Sequence, residues 1–348
     1  MKWLAGFGIL ALLYFTLWPV PIDPVAWSPD PDPGLTGVFA TNERLAPLTI
    51  AAADLGEGPE DVTQGPDGWF YTGLLDGRIL RFRDGEVETW ADTGGRPLGM
   101  QFDAAGALIV ADAYRGLISV GPDREVRVLA DSYEGELMLL VDDLDIADDG
   151  TIWFSDASRR FPVANWILDF WEGRGTGRLF SYEPGSGALT MHLDGLRFAN
   201  GVALGPDDGF VLVTETLAAR IMRLWLKGPQ AGQSDVFIDR LPGYPDNLSF
   251  NGRDTFWVAM PALRQAALER LAPYPFARKV LMRLPEKARH IEPGALAWAL
   301  GLDAEGEVVA SLQNRSGLHR TVTSVNEFDG TLYLGSIATD SVARAPAP

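Results

Sequence analysis

The sequence predicts an all-β fold, a six-bladed β-propeller preceded by one N-terminal transmembrane helix. Three observations lead there. The chain opens on a long uncharged apolar stretch, a turn-plus-strand phrase then recurs six times, and helical periodicity is scarce after residue 46.

The opening stretch, "MKWLAGFGILALLYFTLWPV", has Lys2 and then 18 uncharged residues, Trp3–Val20. As a helix these would span about 27 Å, close to the ~30 Å hydrocarbon core of a bilayer. A cleaved secretory signal would have a shorter apolar region ended by a small-x-small site, whereas this one ends in bulky, proline-rich "LWPVPIDPVAW". An uncleaved anchor is therefore expected over a cleaved signal or a buried core helix. Trp3, Tyr14 and Trp18 are placed to meet the interfaces. The positive end at Lys2 stays cytoplasmic, because the acidic segment beyond offers no competing positive charge. Nearly the whole protein would then be periplasmic or extracellular.

Residues 21–45 follow as a proline-rich linker, and residues 46–348 as the propeller, so the expected units are 1–20, 21–45 and 46–348. Within the last unit the recurring phrase is a glycine turn followed by an apolar strand. It occurs at Gly68 ("GPDGWFYTG"), Gly106, Gly150 ("ADDGTIWFSDAS"), Gly209, Gly252 ("NGRDTFWVAM") and Gly330 ("EFDGTLYLGS"). Three of the steps between these glycines, 38, 44 and 43 residues, match a four-stranded blade. The longer steps hold insertions: "RRFPVANWILDFWEGRG" in one, and an extra hairpin with a helical stretch, 261–291, in the other. Six hairpins imply six blades, closed where the last strands meet a strand at 47–54. A many-stranded sandwich would not require such regular repetition.

Composition removes several function classes. Asp and Glu outnumber Lys and Arg by 47 to 29, a formal charge of −18, which repels nucleic acid and attracts cations. No nucleic-acid partner is expected. With no cysteine there is no disulfide, thiolate nucleophile or zinc–thiolate site. His192, His290 and His319 show no spacing that suggests a dyad or triad.

Each blade's first strand lines the channel and starts at one common face. Glu60 and Asp142 each lie eight residues before their turn glycine, Asn200 nine and Asp246 six. Four oxygen-bearing side chains from four blades thus begin their innermost strands at one channel mouth. Carboxylate and amide oxygens without His or Cys are what a hard cation requires, Ca²⁺ taking 6–8 of them. The competing explanation is that Asp and Asn cap turns before strands. Asp112, Asp156 and Glu215 end second strands at the same face, as metal support or as solvated rim.

The stretches "GPEDV", "RPLGMQFD", "DDLDIADDGTIWFSDAS", "FANGVALGPDDGFVLVTET", "GYPDNLSFNGRDTFWVA" and "NEFDGTLYLGS" resemble the strictosidine-synthase-like proteins, relatives of the paraoxonases and gluconolactonases. The likeness is in particular to their membrane-anchored branch, that of adipocyte plasma membrane-associated protein. It implies a propeller with a calcium ion, or another divalent ion, at the mouth, held by Glu60, Asn200 and Asp246 with Asn247 beside them. Two positions depart from the family. Asp142-Asp143 stands where relatives have Asn-Asp, so a fourth ligand, Asp142, would be charged and three carboxylates would outweigh one divalent ion. Thr323 stands where strictosidine synthases carry their catalytic glutamate, which argues against Pictet–Spengler condensation.

The expected function is a calcium-dependent hydrolase of small-molecule lactones or aryl esters, with the ion polarising the carbonyl and Asp142 or Asp246 activating water. The alternative is a calcium-stabilised binding or scaffold propeller without turnover. Specificity would lie in mouth-face loops such as 159–177 and 261–292.

Overall fold

In every hairpin phrase the turn glycine separates two apolar runs, so each pairs antiparallel and presents one face to its neighbour. A computed structural model describes residues 2–285, 287 and 294–348 of the chain. His290 and the side chains of Lys2 and Trp3 lie outside the described residues. The chain forms six four-stranded antiparallel sheets arranged as blades. Their inner strands are Thr63–Gln64, Pro97–Phe102, Val141–Ile146, Ala199–Leu204, Leu248–Phe250 and Val322–Phe328, for blades 1 to 6. All six expected glycines sit in the turn after an inner strand. Five have positive φ, while at Gly209 (φ −70) the left-handed positions fall to Asp207 and Asp208.

Blade 6 is closed by the N-terminal strand Thr49–Ala52, which pairs antiparallel with Val342–Pro346 and opposes Thr49 to Arg344. First and last strands in one sheet leave no open edge at the join. The hairpin read as extra supplies the outer strands of blade 5, Ala297–Leu302 and Val308–Asn314. Neighbouring blades pack through apolar faces. Trp257 and Leu312 of blade 5 meet Val322 and Leu334 of blade 6, and Ile109 and Leu117 of blade 2 meet Phe154 and Phe180 of blade 3. Each such side chain contributes about 1.5–3 kcal/mol through burial.

Inner strands run away from the mouth and second strands return to it, so connections between second and third strands lie at the mouth face. Both long insertions leave from there. The first carries helix Trp166–Glu172, the second helices Ala266–Leu271 and Pro275–Met282. The proline-rich segment is strapped to these insertions. Val25 and Trp27 donate backbone hydrogen bonds to Glu172 and Ala272 (3.1 and 3.3 Å). The buried guanidinium of Arg278 donates to the carbonyls of Trp171, Glu172, Val25 and Ala272, tying both insertions to the strap. Further along, Leu45 donates to Gln313 at the edge of blade 5.

The N-terminal helix covers Lys2–Leu17, 16 residues. Pro19 explains the early stop, since the residue before a proline disfavours helical backbone. Such a helix is about 24 Å long, and no described helix is long and apolar enough to cross a membrane.

Candidate metal centre at the channel mouth

Inner-strand starts of blades 1, 3, 4 and 5 bring together the five residues expected from the sequence. Glu60 precedes the inner strand of blade 1, pinned from blade 6 where Thr323 Oγ1 donates to its carbonyl (2.8 Å) and Ser336 N donates to Pro59 (2.7 Å). Asn200 is followed by Gly201 for a steric reason. A Cβ there would lie 2.5 Å from the Asp246 carbonyl and the Leu248 nitrogen, so only glycine lets blades 4 and 5 approach. Asp246 is held through its carbonyl by Thr214 Oγ1 (3.0 Å).

Side chains then pair across blades. Asn247 Nδ2 donates to Glu60 Oε1 (3.0 Å), and the Asn200 amide donates to Asp246 Oδ1. Besides the carboxylate of Asp142, three fully buried oxygens in this set have no hydrogen-bond partner: Glu60 Oε2, Asn200 Oδ1 and Asn247 Oδ1. Glu60, Asp142, Asn200 and Asn247 are each 3–5% exposed, where an unpartnered polar oxygen costs about 1–3 kcal/mol. Among the described residues no three acidic or histidine side chains come close enough to hold an ion by themselves. A cation here would need the amide oxygens as well, which suits Ca²⁺ better than a metal of N or S preference.

Electrostatics point the same way. Burial holds Glu60 well above the usual carboxylate range, and the charges of Asp246, Asp61 and Asp142 push it further. Burial and then Asp246 do the same to Asp142. Asp246, part-exposed at the mouth, is raised to about 7 by desolvation, against the lowering hydrogen bond from Asn200. Arg96, buried in the same wall, donates to Gly58 O (3.0 Å) and attracts Glu60 and Asp142. Sequence reasoning missed this arginine, and it changes the balance. Three carboxylates against one guanidinium leave two negative charges, which one divalent ion neutralises.

Each of these carboxyls has a folded-state pKa above its unfolded value. The stability it contributes is fully present below about pH 4 and is lost as pH rises through the folded value, about 7 for Asp246. Asp145 (about 6) and Asp169 (about 7), also raised by burial, share that sign. His319, pushed down to about 4 by burial, acts oppositely below its ordinary 6.5. Ion-free protein is therefore expected to melt at a lower temperature at about pH 8 than at about pH 6.5. Saturating calcium should shrink the difference, and a flat melting profile in ion-free protein would contradict these shifts.

The acids ending second strands are fully buried, so they are not solvated rim. Asp112 accepts from Arg96 N (3.0 Å) and Thr93 Oγ1 (2.7 Å), Asp156 from Leu140 N and Arg178, and Glu215 from Arg197 N and Arg220. In blades 2, 3 and 4 this carboxylate ties the loop entering the inner strand to the end of the second strand. The residues after Glu60 and Asp142 face the other way along the channel. Asp61 accepts from Met100 N (3.1 Å) and Asp143 from Val202 N (2.9 Å), latching each blade to the next. Acidic doublets in two blades were the available signal for that role. A cavity of about 150 Å³ lies below the mouth, walled by Asp61, Asp143, Asp145 and Asn326, with Asn247 as its one member of the candidate set. His192 bonds Ser181 on outer strands of blade 3 and His319 contacts Thr339, so neither forms a catalytic pair with a described acid.

A model of the strictosidine synthase family matches residues 142–229, and one of the strictosidine synthase-like N-terminal region matches residues 37–82. Human adipocyte plasma membrane-associated protein is 36% identical over 349 residues, covering 93% of this chain and 83% of its own length. Strictosidine synthase-like 13 of Arabidopsis thaliana is 34% identical, covering 88% of this chain and 79% of its own. Among solved structures, a gluconolactonase from Xanthomonas campestris superposes with a TM-score of 0.65 at 18% identity, over 96% of this chain and all of that one. Regucalcin, a calcium-binding protein from Agrobacterium tumefaciens, gives 0.60 at 14% identity, over 85% and 93%. At these identities the two structures are likenesses of fold.

Proposed function

The chain belongs to the strictosidine synthase-like family, and from that premise we propose a calcium-dependent hydrolase of lactones or aryl esters, held at a membrane by its N-terminal segment. The observation that carries this reading is the trio of unpartnered buried oxygens on Glu60, Asn200 and Asn247 beside the raised carboxyls of Asp142 and Asp246. The gluconolactonase and regucalcin likenesses support lactone chemistry and calcium on this scaffold.

Glu60, Asn200, Asp246 and Asn247, with Asp142, would hold the ion, which when bound supplies Lewis-acid polarisation of an ester carbonyl. Asp142 accepts no hydrogen bond among the described residues and faces Arg96, so its carboxylate is the one free to take a proton from water. Asp246 is tied to Asn200 and suits the ligand role. Thr323 spends its hydroxyl on the Glu60 carbonyl and offers no acid, which argues against a synthase activity.

Membrane attachment rests on the Trp3–Val20 stretch and on the relative named for plasma-membrane association. A span short by a few ångströms is tolerated through local bilayer thinning. In this reading the amino terminus is cytoplasmic and the propeller periplasmic or extracellular.

One observation favours a binding or scaffold propeller without turnover. The cavity that reaches the candidate set, about 150 Å³, falls below the ~300–1,000 Å³ usual for small-molecule sites, and a larger one of about 560 Å³, between the loops of blades 1 and 6, contains none of the candidate ligands. The test is a lactone and aryl-ester panel run on the full chain with chelator, and again after calcium is restored, alongside melting curves. Turnover lost on chelation and recovered with calcium is expected, together with a stability gain of about 2.7 kcal/mol at calcium 100 times Kd. Stabilisation by calcium with no turnover across the panel would select the binding propeller.

A further inference from the structure

Exposed apolar side chains on a soluble domain are ordinarily scattered, and a set confined to one face marks an interaction surface. Beyond residue 38, the exposed large hydrophobic side chains among the described residues fall into two groups. Val87, Val128, Val236 and Val309 lie on the outermost strands of blades. All the others lie on the connections of the mouth face, including its insertion helices and the small hairpin that holds Leu137. They include Leu75, Tyr114, Trp166, Phe276, Leu318 and Ile337, spread over blades 1, 2, 3, 5 and 6 and 38–61% exposed. Turns of the opposite face carry none. They carry exposed charged side chains, among them Asp84, Glu86, Arg124, Arg253 and Glu305, whereas the mouth-face loops mix exposed acids such as Asp76 and Asp340 with the apolar side chains.

The N-terminal helix ends on the same face. Tyr14 Oη donates to the Arg283 carbonyl (3.0 Å), while the Arg283 guanidinium donates to the carbonyls of Trp18 (2.7 Å) and Phe15 (3.1 Å). Arg283 follows helix Pro275–Met282 in the mouth-face insertion, and its guanidinium caps carbonyls that the last turn of the N-terminal helix leaves open. Leu10, Leu12, Leu13 and Leu17, 45–72% exposed, point to more than one side of that helix, which suits lipid rather than a one-sided protein groove. Strap, insertions and helix end thus form one hydrogen-bonded assembly on the mouth side.

We propose that the mouth face of the propeller lies against a zwitterionic bilayer surface, so that the channel opens toward lipid and the charged turns of the opposite face, which carry no exposed large apolar side chain among the described residues, point to solvent. The occupant is a bilayer because the exposed apolar side chains share their face with the end of a helix whose exposed leucines point to more than one side. It is zwitterionic because a formal charge of −18 disfavours an anionic surface. Orientation rests on the membrane-attachment reading above but goes beyond it, since a tether alone leaves the propeller free to turn.

The chain has no cysteine, so single labelling sites are available without background. Full-length protein is prepared with Leu75→Cys, Phe276→Cys or Ile337→Cys at the mouth, or Glu86→Cys or Glu305→Cys at the far face. Each carries an environment-sensitive dye and is mixed with phosphatidylcholine vesicles containing brominated lipid; co-flotation is measured in parallel. Blue-shifted emission that is lost to bromine quenching is expected at the three mouth positions, with unchanged emission at the two far-face positions. Co-flotation without quenching at the mouth, or with equal quenching at both faces, would overturn the orientation while leaving attachment intact. Failure to co-float would overturn attachment and orientation together.

Discussion

Asp246→Ala is expected to abolish calcium-dependent hydrolysis and to weaken calcium binding more than about 100-fold, beyond the 10–100-fold typical of losing a residue that only supports a ligand. Asp246 brings a carboxylate to the mouth, and its Oδ1 holds the amide of Asn200 in place. Alanine removes one ligand and releases a second, leaving Glu60, Asp142 and Asn247 as an incomplete set. The fold should survive, because the substitution also removes a desolvated carboxyl that pushes Glu60 and Asp142 up. Ion-free Asp246→Ala should therefore melt no lower than ion-free parent protein at about pH 8, where the parent's repulsion is greatest. A variant that binds calcium and turns over like the parent would remove Asp246 from the centre.

Asp142→Asn separates ligand from base. If Asp142 takes the proton from water, the amide should still bind calcium while turnover falls by about 10²–10⁴-fold, the usual contribution of a positioned base. Affinity should also drop, because the set loses one negative charge while Arg96 keeps its positive one. Turnover kept at saturating calcium would make Asp142 a ligand alone and shift the proton-accepting role elsewhere. Reading the pH–rate profile beside the rate guards against a merely structural effect. The acidic limb of the parent, set by a raised carboxyl, should vanish in the variant.

Much of the fold was legible because its signals are local. A turn glycine followed by an alternating strand is written within about ten residues, and all six such phrases mark the expected turns. Counting back from those glycines located Glu60, Asp142, Asn200 and Asp246 because every inner strand starts at one face. What escaped depends on contacts between distant segments. Arg96 enters the centre from the loop before blade 2, where an arginine preceding a proline gives no local hint of burial beside Glu60. Asp112, Asp156 and Glu215 look like rim in a linear reading, yet each is buried and bonded to a residue 16–18 positions earlier. The proline-rich composition of residues 21–45 cannot show that Arg278, some 250 positions later, takes up the carbonyl of Val25. The uncharged N-terminal stretch has 18 residues, while the helix covers the 16 of Lys2–Leu17, since Pro19 sets its end.

Calcium titration by calorimetry, on ion-free full-length protein and on Glu60→Gln, tests the shared centre most directly. Glu60→Gln keeps the side-chain length and the hydrogen-bond acceptor for Asn247 while removing one charge and one carboxylate oxygen. A centre built from four blades predicts one saturable calcium per chain, proton release as the raised carboxyls ionise, and binding weakened about 10-fold or more in Glu60→Gln, roughly 1.4 kcal/mol. No saturable binding, or identical affinity and proton release in parent and variant, would contradict it.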